Sequence, residues 1–180
     1  MVPELDAAAF HWIQAHRSPW LNPVMVAFSY FGAYAWIVFA VLMGVARPRN
    51  WPGVYQVILA IGLSTLLTDT ILKPLVGRTR PYVDRAEVEV IGVKLTNASF
   101  PSTHASNAFA GAYAMTRVFP PARAIVWTVA MLASFARVYV GVHYPLDVMF
   151  GGLVGLAAAA FVIGGTRWEA VERSTYSRAR

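Results

Sequence analysis

Long apolar stretches, broken at intervals by proline, glycine or a knot of charge, set the pattern of this chain. A helix that crosses a bilayer needs about 17 to 25 mainly apolar residues. Five stretches are read as spans: 23–45, 54–76, 102 to just before Pro120-Pro121, 124–140 and 146–164. The third and fourth are short, which predicts tilt or snorkelling at their ends. Ahead of them, residues 3–17 begin with proline and two acids, as helix N-termini favour, and place Leu5, Ala9, Trp12 and Ile13 on one face. That segment is too short and polar to span and is expected in the interface plane, with Ser18-Pro19 ending it. The expected fold is all-α: a polytopic membrane helical bundle of about five transmembrane helices plus an N-terminal interfacial helix, one integral membrane domain over 1–180. Gly151, Gly152 and Gly155 form a small-residue patch in the last span, read as close packing inside the protomer.

The connections alternate in character. Segments 46–53 and 118–123 are short turns carrying proline and arginine, whereas 77–100 is long and polar. Loops of that length in compact proteins are usually functional or disordered; Asp84, Arg85, Glu87, Glu89 and Lys94 are read as a solvated loop rather than a lid. Five spans put this loop, the N-terminal helix and the turn around Val142 on one side, and the short turns and the tail 167–180 on the other. The tail side holds eight Lys and Arg (Arg47, Arg49, Arg117, Arg123, Arg167, Arg173, Arg178, Arg180), and the loop side seven, of which three belong to a candidate site, leaving four. The positive-inside rule then places the tail in the cytoplasm and the loop outside.

Composition agrees with a membrane protein: 57% of residues are hydrophobic and 13% charged. The net charge of +6 sits between apolar segments rather than on one polar face, so no nucleic-acid partner is expected. The absence of cysteine removes disulfides, a thiolate nucleophile and cysteine metal sites. The N-terminus lacks the basic region of a signal peptide, so targeting is expected to rest on the spans. No obligatory protein partner is inferred.

Three polar blocks interrupt the apolar background: Lys73 with Arg80-Pro81, then Pro101-Ser102-Thr103-His104, then Arg137 with His143 and Asp147. Charged groups at membrane depth are costly unless paired or placed at a site, and cations beside histidines suit phosphate chemistry. Asp69, four residues before Lys73, is expected to orient it. Ser102 suits an N-cap, leaving first-turn amides as an anion site. His143 precedes Pro145 at the start of the last span, where Asp147 can hold one ring nitrogen and leave the other free to attack. Arg137 is expected to bring its fork beside His143 for bidentate phosphate contact. All three blocks fall at one membrane face.

In order and spacing these blocks resemble the signature of the type-2 phosphatidic acid phosphatase superfamily, which includes vanadium haloperoxidases. K-x6-R-P is met by Lys73, Arg80 and Pro81; P-S-G-H by Pro101, Ser102 and His104, with Thr103 in place of glycine; S-R-x5-H-x3-D by Arg137, His143 and Asp147, with Ala136 in place of serine. The resemblance implies hydrolysis of a lipid-linked phosphate without metal or other cofactor. On it, His143 forms a phosphohistidine and Asp147 stabilises the imidazolium. Lys73, Arg80, Arg137 and the amides near Ser102 and Thr103 hold the equatorial oxygens, and His104 protonates the leaving oxygen and then activates water. Thr103 still offers its amide, and Ala136 removes one hydrogen bond. Within the superfamily the chain looks most like small bacterial undecaprenyl pyrophosphate phosphatases of the cytoplasmic membrane. Phosphatidylglycerophosphate, phosphatidic acid and lipid A are the competing substrates; a vanadium-dependent oxidase and a non-catalytic lipid-phosphate binder or flippase are the readings from other classes.

Overall fold

The computed structural model describes residues 2–31, 35–46 and 51–178. Among these there is no strand. The helices are α1 (Val2–Ala15), α2 (Asn22–Phe31), α3 (Ala35–Ala46), α4 (Trp51–Thr65), α5 (Lys73–Val76), α6 (Pro81–Asp84), α7 (Thr103–Val118), α8 (Arg123–Tyr139) and α9 (Pro145–Arg178). A π-helical stretch, Leu66–Leu72, joins α4 to α5. Residues 47–50, with Arg47 and Arg49, and the final Ala179 and Arg180 lie outside the described residues.

Three segments, Trp51–Asp84, Pro120–Tyr139 and Pro145–Gly165, are long and apolar enough to cross a membrane, and α2 with α3, bent by 62°, makes a fourth. The fifth expected span is α7, whose 16 residues extend only about 24 Å at the helical rise, against about 30 Å of hydrocarbon. That helix is the centre of the bundle, with α4, α8 and α9 packed on it. Small residues make this possible: Ala105, Ala108, Ala110, Ala112 and Ala114 are fully buried, so neighbouring backbones come close. A Cβ built on Gly155 would meet the Ser106 carbonyl oxygen at 2.0 Å, and one on Gly151 the Ser102 oxygen at 2.4 Å. The glycine patch of α9 is therefore spent on α7, inside the protomer. Large apolar side chains such as Leu42, Leu59, Met131 and Phe161 point outward, the arrangement that a lipid surround rewards.

The N-terminal helix α1 lies against α8 and α9. Leu5 and Trp12 are exposed, while Asp6 and Phe10 are buried. Its inward face thus holds a carboxylate that the apolar pattern of the segment did not announce. The long loop is not simply solvated either. Its charged side chains Asp84, Glu87, Glu89 and Lys94 are exposed, but Val88 is buried beside Phe10 and Tyr144, and Ile91 N–H donates to Val140 O at 3.0 Å.

Candidate active site

The first polar block begins in the π-helical stretch. There Lys73 N–H donates to Thr68 O, five residues back, the wide turn that π-bulges use. Lys73 Nζ meets Asp69 Oδ1 at 2.6 Å, with the lysine buried and the aspartate exposed. Thr103 Oγ1 donates to the same oxygen at 2.5 Å. The residue that departs from the family's glycine therefore ties the second block to the first.

Arg80 is buried at the start of α6. Its Nε and Nη2 donate to Asn97 O and Oδ1 at 2.7 and 2.6 Å. Its Nη1 donates to Val142 O at 2.8 Å and lies 3.4 Å from His143 Nε2. A guanidinium only donates, so the Nε2 that faces it bears a lone pair and the ring proton belongs on Nδ1. That nitrogen lies 3.5 Å from both Asp147 Oδ2 and Ser99 Oγ. Gly141, at φ +90°, makes the turn that carries His143 into place; a side chain there would be strained. Burial pushes the His143 pKa down to about 3, with Asp147 opposing and Arg137 and Arg80 adding to the shift, which leaves the ring neutral and nucleophilic.

Asp147 is fully buried in the first turn of α9. It accepts from Arg78 Nη1 at 2.7 Å, from Tyr144 N–H at 2.9 Å and from the Ser99 hydroxyl. Ser102 caps α7 through Ala105 N–H, and its own N–H donates to Asp147 O at 2.9 Å. Of the amides expected to meet phosphate, that of Ser102 is thus already committed, while Thr103 and His104 open the helix. Asp69, Lys73, Arg80, Thr103, His104 and His143 line one cavity of about 160 Å³.

Arg137 is placed differently from the sequence expectation. It is buried in the last turn of α8, and its Nη1 donates to Ser29 O and Oγ of α2 at 3.1 and 2.5 Å. It lines an adjoining cavity of about 130 Å³, which shares His104 and Leu95 with the first. Packing explains this: the helix directs Arg137 toward α2, and Ala136 beside it is buried in an apolar cluster with Met25, Tyr139 and Val142. A serine hydroxyl would be out of place there. Sequence reasoning missed Ser99, Asn97 and Ser29, and counted Arg78 only as a loop charge. The one signal available was position: Asn97 and Ser99 just precede Pro101, and Arg78 stands two residues before Arg80. Among the described residues no three His, Asp or Glu side chains converge as a metal-binding group.

An unprotonated ring nitrogen, a carboxylate behind it, two buried cations and a second histidine around one small cavity can transfer a phosphoryl group. Known proteins point the same way. The chain is 31% identical to an undecaprenyl-diphosphatase of Sulfolobus acidocaldarius over 81% of this chain and 71% of that protein. It is 31% identical to a phosphatidylglycerophosphatase B of Bacillus subtilis over 82% and 76%. The crystal structure of Aquifex aeolicus LpxE overlays it with a TM-score of 0.74 at 28% identity, covering 89% of this chain and 95% of that one. Residues 53–169 match the PAP2 superfamily, and with this site inside a membrane bundle the chain belongs to that superfamily as an integral membrane phosphatase.

Proposed function

We propose that this phosphatase hydrolyses a prenyl diphosphate, undecaprenyl diphosphate first among the lipid phosphates, through a phosphohistidine on His143. The observation that carries the mechanism is the tautomer: Nε2 faces Arg80 with a lone pair while Nδ1 turns toward Asp147. Nε2 attacks phosphorus as the bond to the bridging oxygen breaks, and His104 gives that oxygen its proton. The ring now carries phosphate on Nε2, hydrogen on Nδ1 and a positive charge that Asp147 offsets. His104 then takes a proton from water, whose oxygen attacks phosphorus; inorganic phosphate leaves and His143 returns neutral. Lys73, Arg80 and the first-turn amides of α7 hold the equatorial oxygens, and Arg137 adds positive charge from the neighbouring cavity. No step calls for a metal. Phosphatidylglycerophosphate, phosphatidic acid and lipid A are the alternative substrates, since the polar groups named here read the phosphate end and leave the tail unread.

In this reading α7 is the fifth crossing and α1 lies in the interface, with 77–100 a loop on the active-site side. The balance of Lys and Arg, eight on the tail side against four, supports a site on the outer face of a bacterial cytoplasmic membrane with the C-terminus inside. The test is phosphate release by the detergent-purified protein, in EDTA, from prenyl diphosphate, phosphatidylglycerophosphate, phosphatidic acid and lipid A, with His143→Ala alongside. Release that vanishes in the variant and is fastest on prenyl diphosphate is expected. A requirement for magnesium, or full activity in the variant, overturns the mechanism; faster release from another lipid overturns the substrate; binding without release from any of them marks a non-catalytic binder.

A further inference from the structure

Asp6 belongs to the helix expected only to rest on the membrane, yet it is 4% exposed. Its two oxygens have separate partners. Oδ1 accepts from Leu146 N–H, in the first turn of α9, at 2.9 Å. Oδ2 receives Arg78 Nη2 at 2.6 Å, while the other arm of Arg78 reaches Asp147 Oδ1 at 2.7 Å. The guanidinium lies over the Tyr144 ring, 4.1 Å from its centroid. A planar fork held on both edges and on one face has little freedom to move.

The charges explain why a third member matters. Arg78 on Asp147 alone makes a neutral pair, and a neutral pair offers little to the positive charge that develops on His143 as the Nε2–phosphorus bond forms. Asp6 returns one negative charge to the group. We infer that Asp6 is a positioning residue for phosphoryl transfer: paired with Arg78, it keeps Asp147 both fixed and effectively anionic behind His143. The inference rests on His143 as the nucleophile, and it makes α1 part of the active site's support.

Charge and cap can be separated, because asparagine at position 6 still accepts the Leu146 N–H while losing the charge, and glutamate keeps the charge while disturbing the cap. Rates are read as phosphate release from farnesyl diphosphate in detergent micelles by the full chain, with wild type and His143→Ala in the same assay. Asp6→Asn should lower kcat about tenfold or more with KM changed less than threefold, the pattern of an interaction made in the transition state. Asp6→Glu should stay within a few-fold of wild type. Removing both charges in Asp6→Asn/Arg78→Gln leaves Asp147 anionic by itself and should recover part of the lost kcat, a non-additivity expected of coupled groups. Should Asp6→Asn fail to fold, the double variant, which buries no unpaired guanidinium, is compared with Asp6→Glu, and a kcat near wild type in both is the expected result. A wild-type kcat in Asp6→Asn, or a double variant no faster than the single, overturns the role of Asp6 while His143→Ala remains dead. An active His143→Ala overturns the mechanism beneath it.

Discussion

His143 is where single-residue chemistry decides the outcome. Its ring is buried and its pKa is pushed down to about 3, against about 6.5 for a free histidine. In the resting enzyme, nitrogen NMR of labelled protein should show the Nδ1–H tautomer unchanged from pH 8 to pH 5; a titration near 6.5 contradicts the burial argument. The sign for stability follows from linkage. The unfolded chain binds this proton more readily, so the group's contribution is intact above about 6.5 and is lost as the pH falls toward about 3. Asp147→Asn keeps the hydrogen-bonding shape but not the charge, and kcat should fall by about 10² or more with folding retained, as stopped assays and thermal melts in detergent would show. Much at this scale was legible beforehand, because lysine, arginine and histidine stand out in an apolar chain. Ser99, Asn97 and Asp6 were not, since small polar residues are common everywhere and only the fold brings them to Asp147, Arg80 and Arg78. Arg137 was legible as a site residue but not in its direction, which the contact with Ser29 on α2 sets.

Among the elements, α7 and α9 carry the most consequence. Their backbones touch where Gly151 and Gly155 face the carbonyls of Ser102 and Ser106, and the same contact delivers the Ser102 N–H to the Asp147 carbonyl. Gly155→Ala places a methyl group against a backbone oxygen that cannot yield. It should cost about 1–3 kcal/mol by overpacking and slow the enzyme as well, by parting His104 from His143. Gly164→Ala, on the same helix with open space around it, is the matched control and should be close to neutral in both readouts. The apolar pattern located α8 and α9 to within a residue or two of their starts. It counted α7 with the other spans, because alanine and glycine score as apolar, whereas in the bundle they serve close approach around a short, partly polar core helix. The apolar stretch at 23–45 carried no mark of the division into α2 and α3, because the residues on either side of it are equally hydrophobic.

At the scale of the molecule, orientation is open to direct measurement, helped by a chain with no cysteine. Glu87→Cys, in the exposed part of the loop, should react in whole cells with a membrane-impermeant maleimide. Pro121→Cys, in the turn before α8, should react only after permeabilisation; the reverse pattern inverts the assignment. One further property of the whole bundle follows from Leu66–Leu72. A seven-residue π-helical stretch holds its chain in a longer ring than the α-helix around it, and removing one residue lets the segment relax to ordinary winding. Each residue of an α-helix turns the chain by about 100°, so such a deletion leaves the helix whole yet re-aims all that follows it, with Lys73 swung away from the cavity. Shortening this helix by one residue should therefore silence the enzyme without unfolding it: the chain's reading frame in space, rather than any side chain, would have been lost.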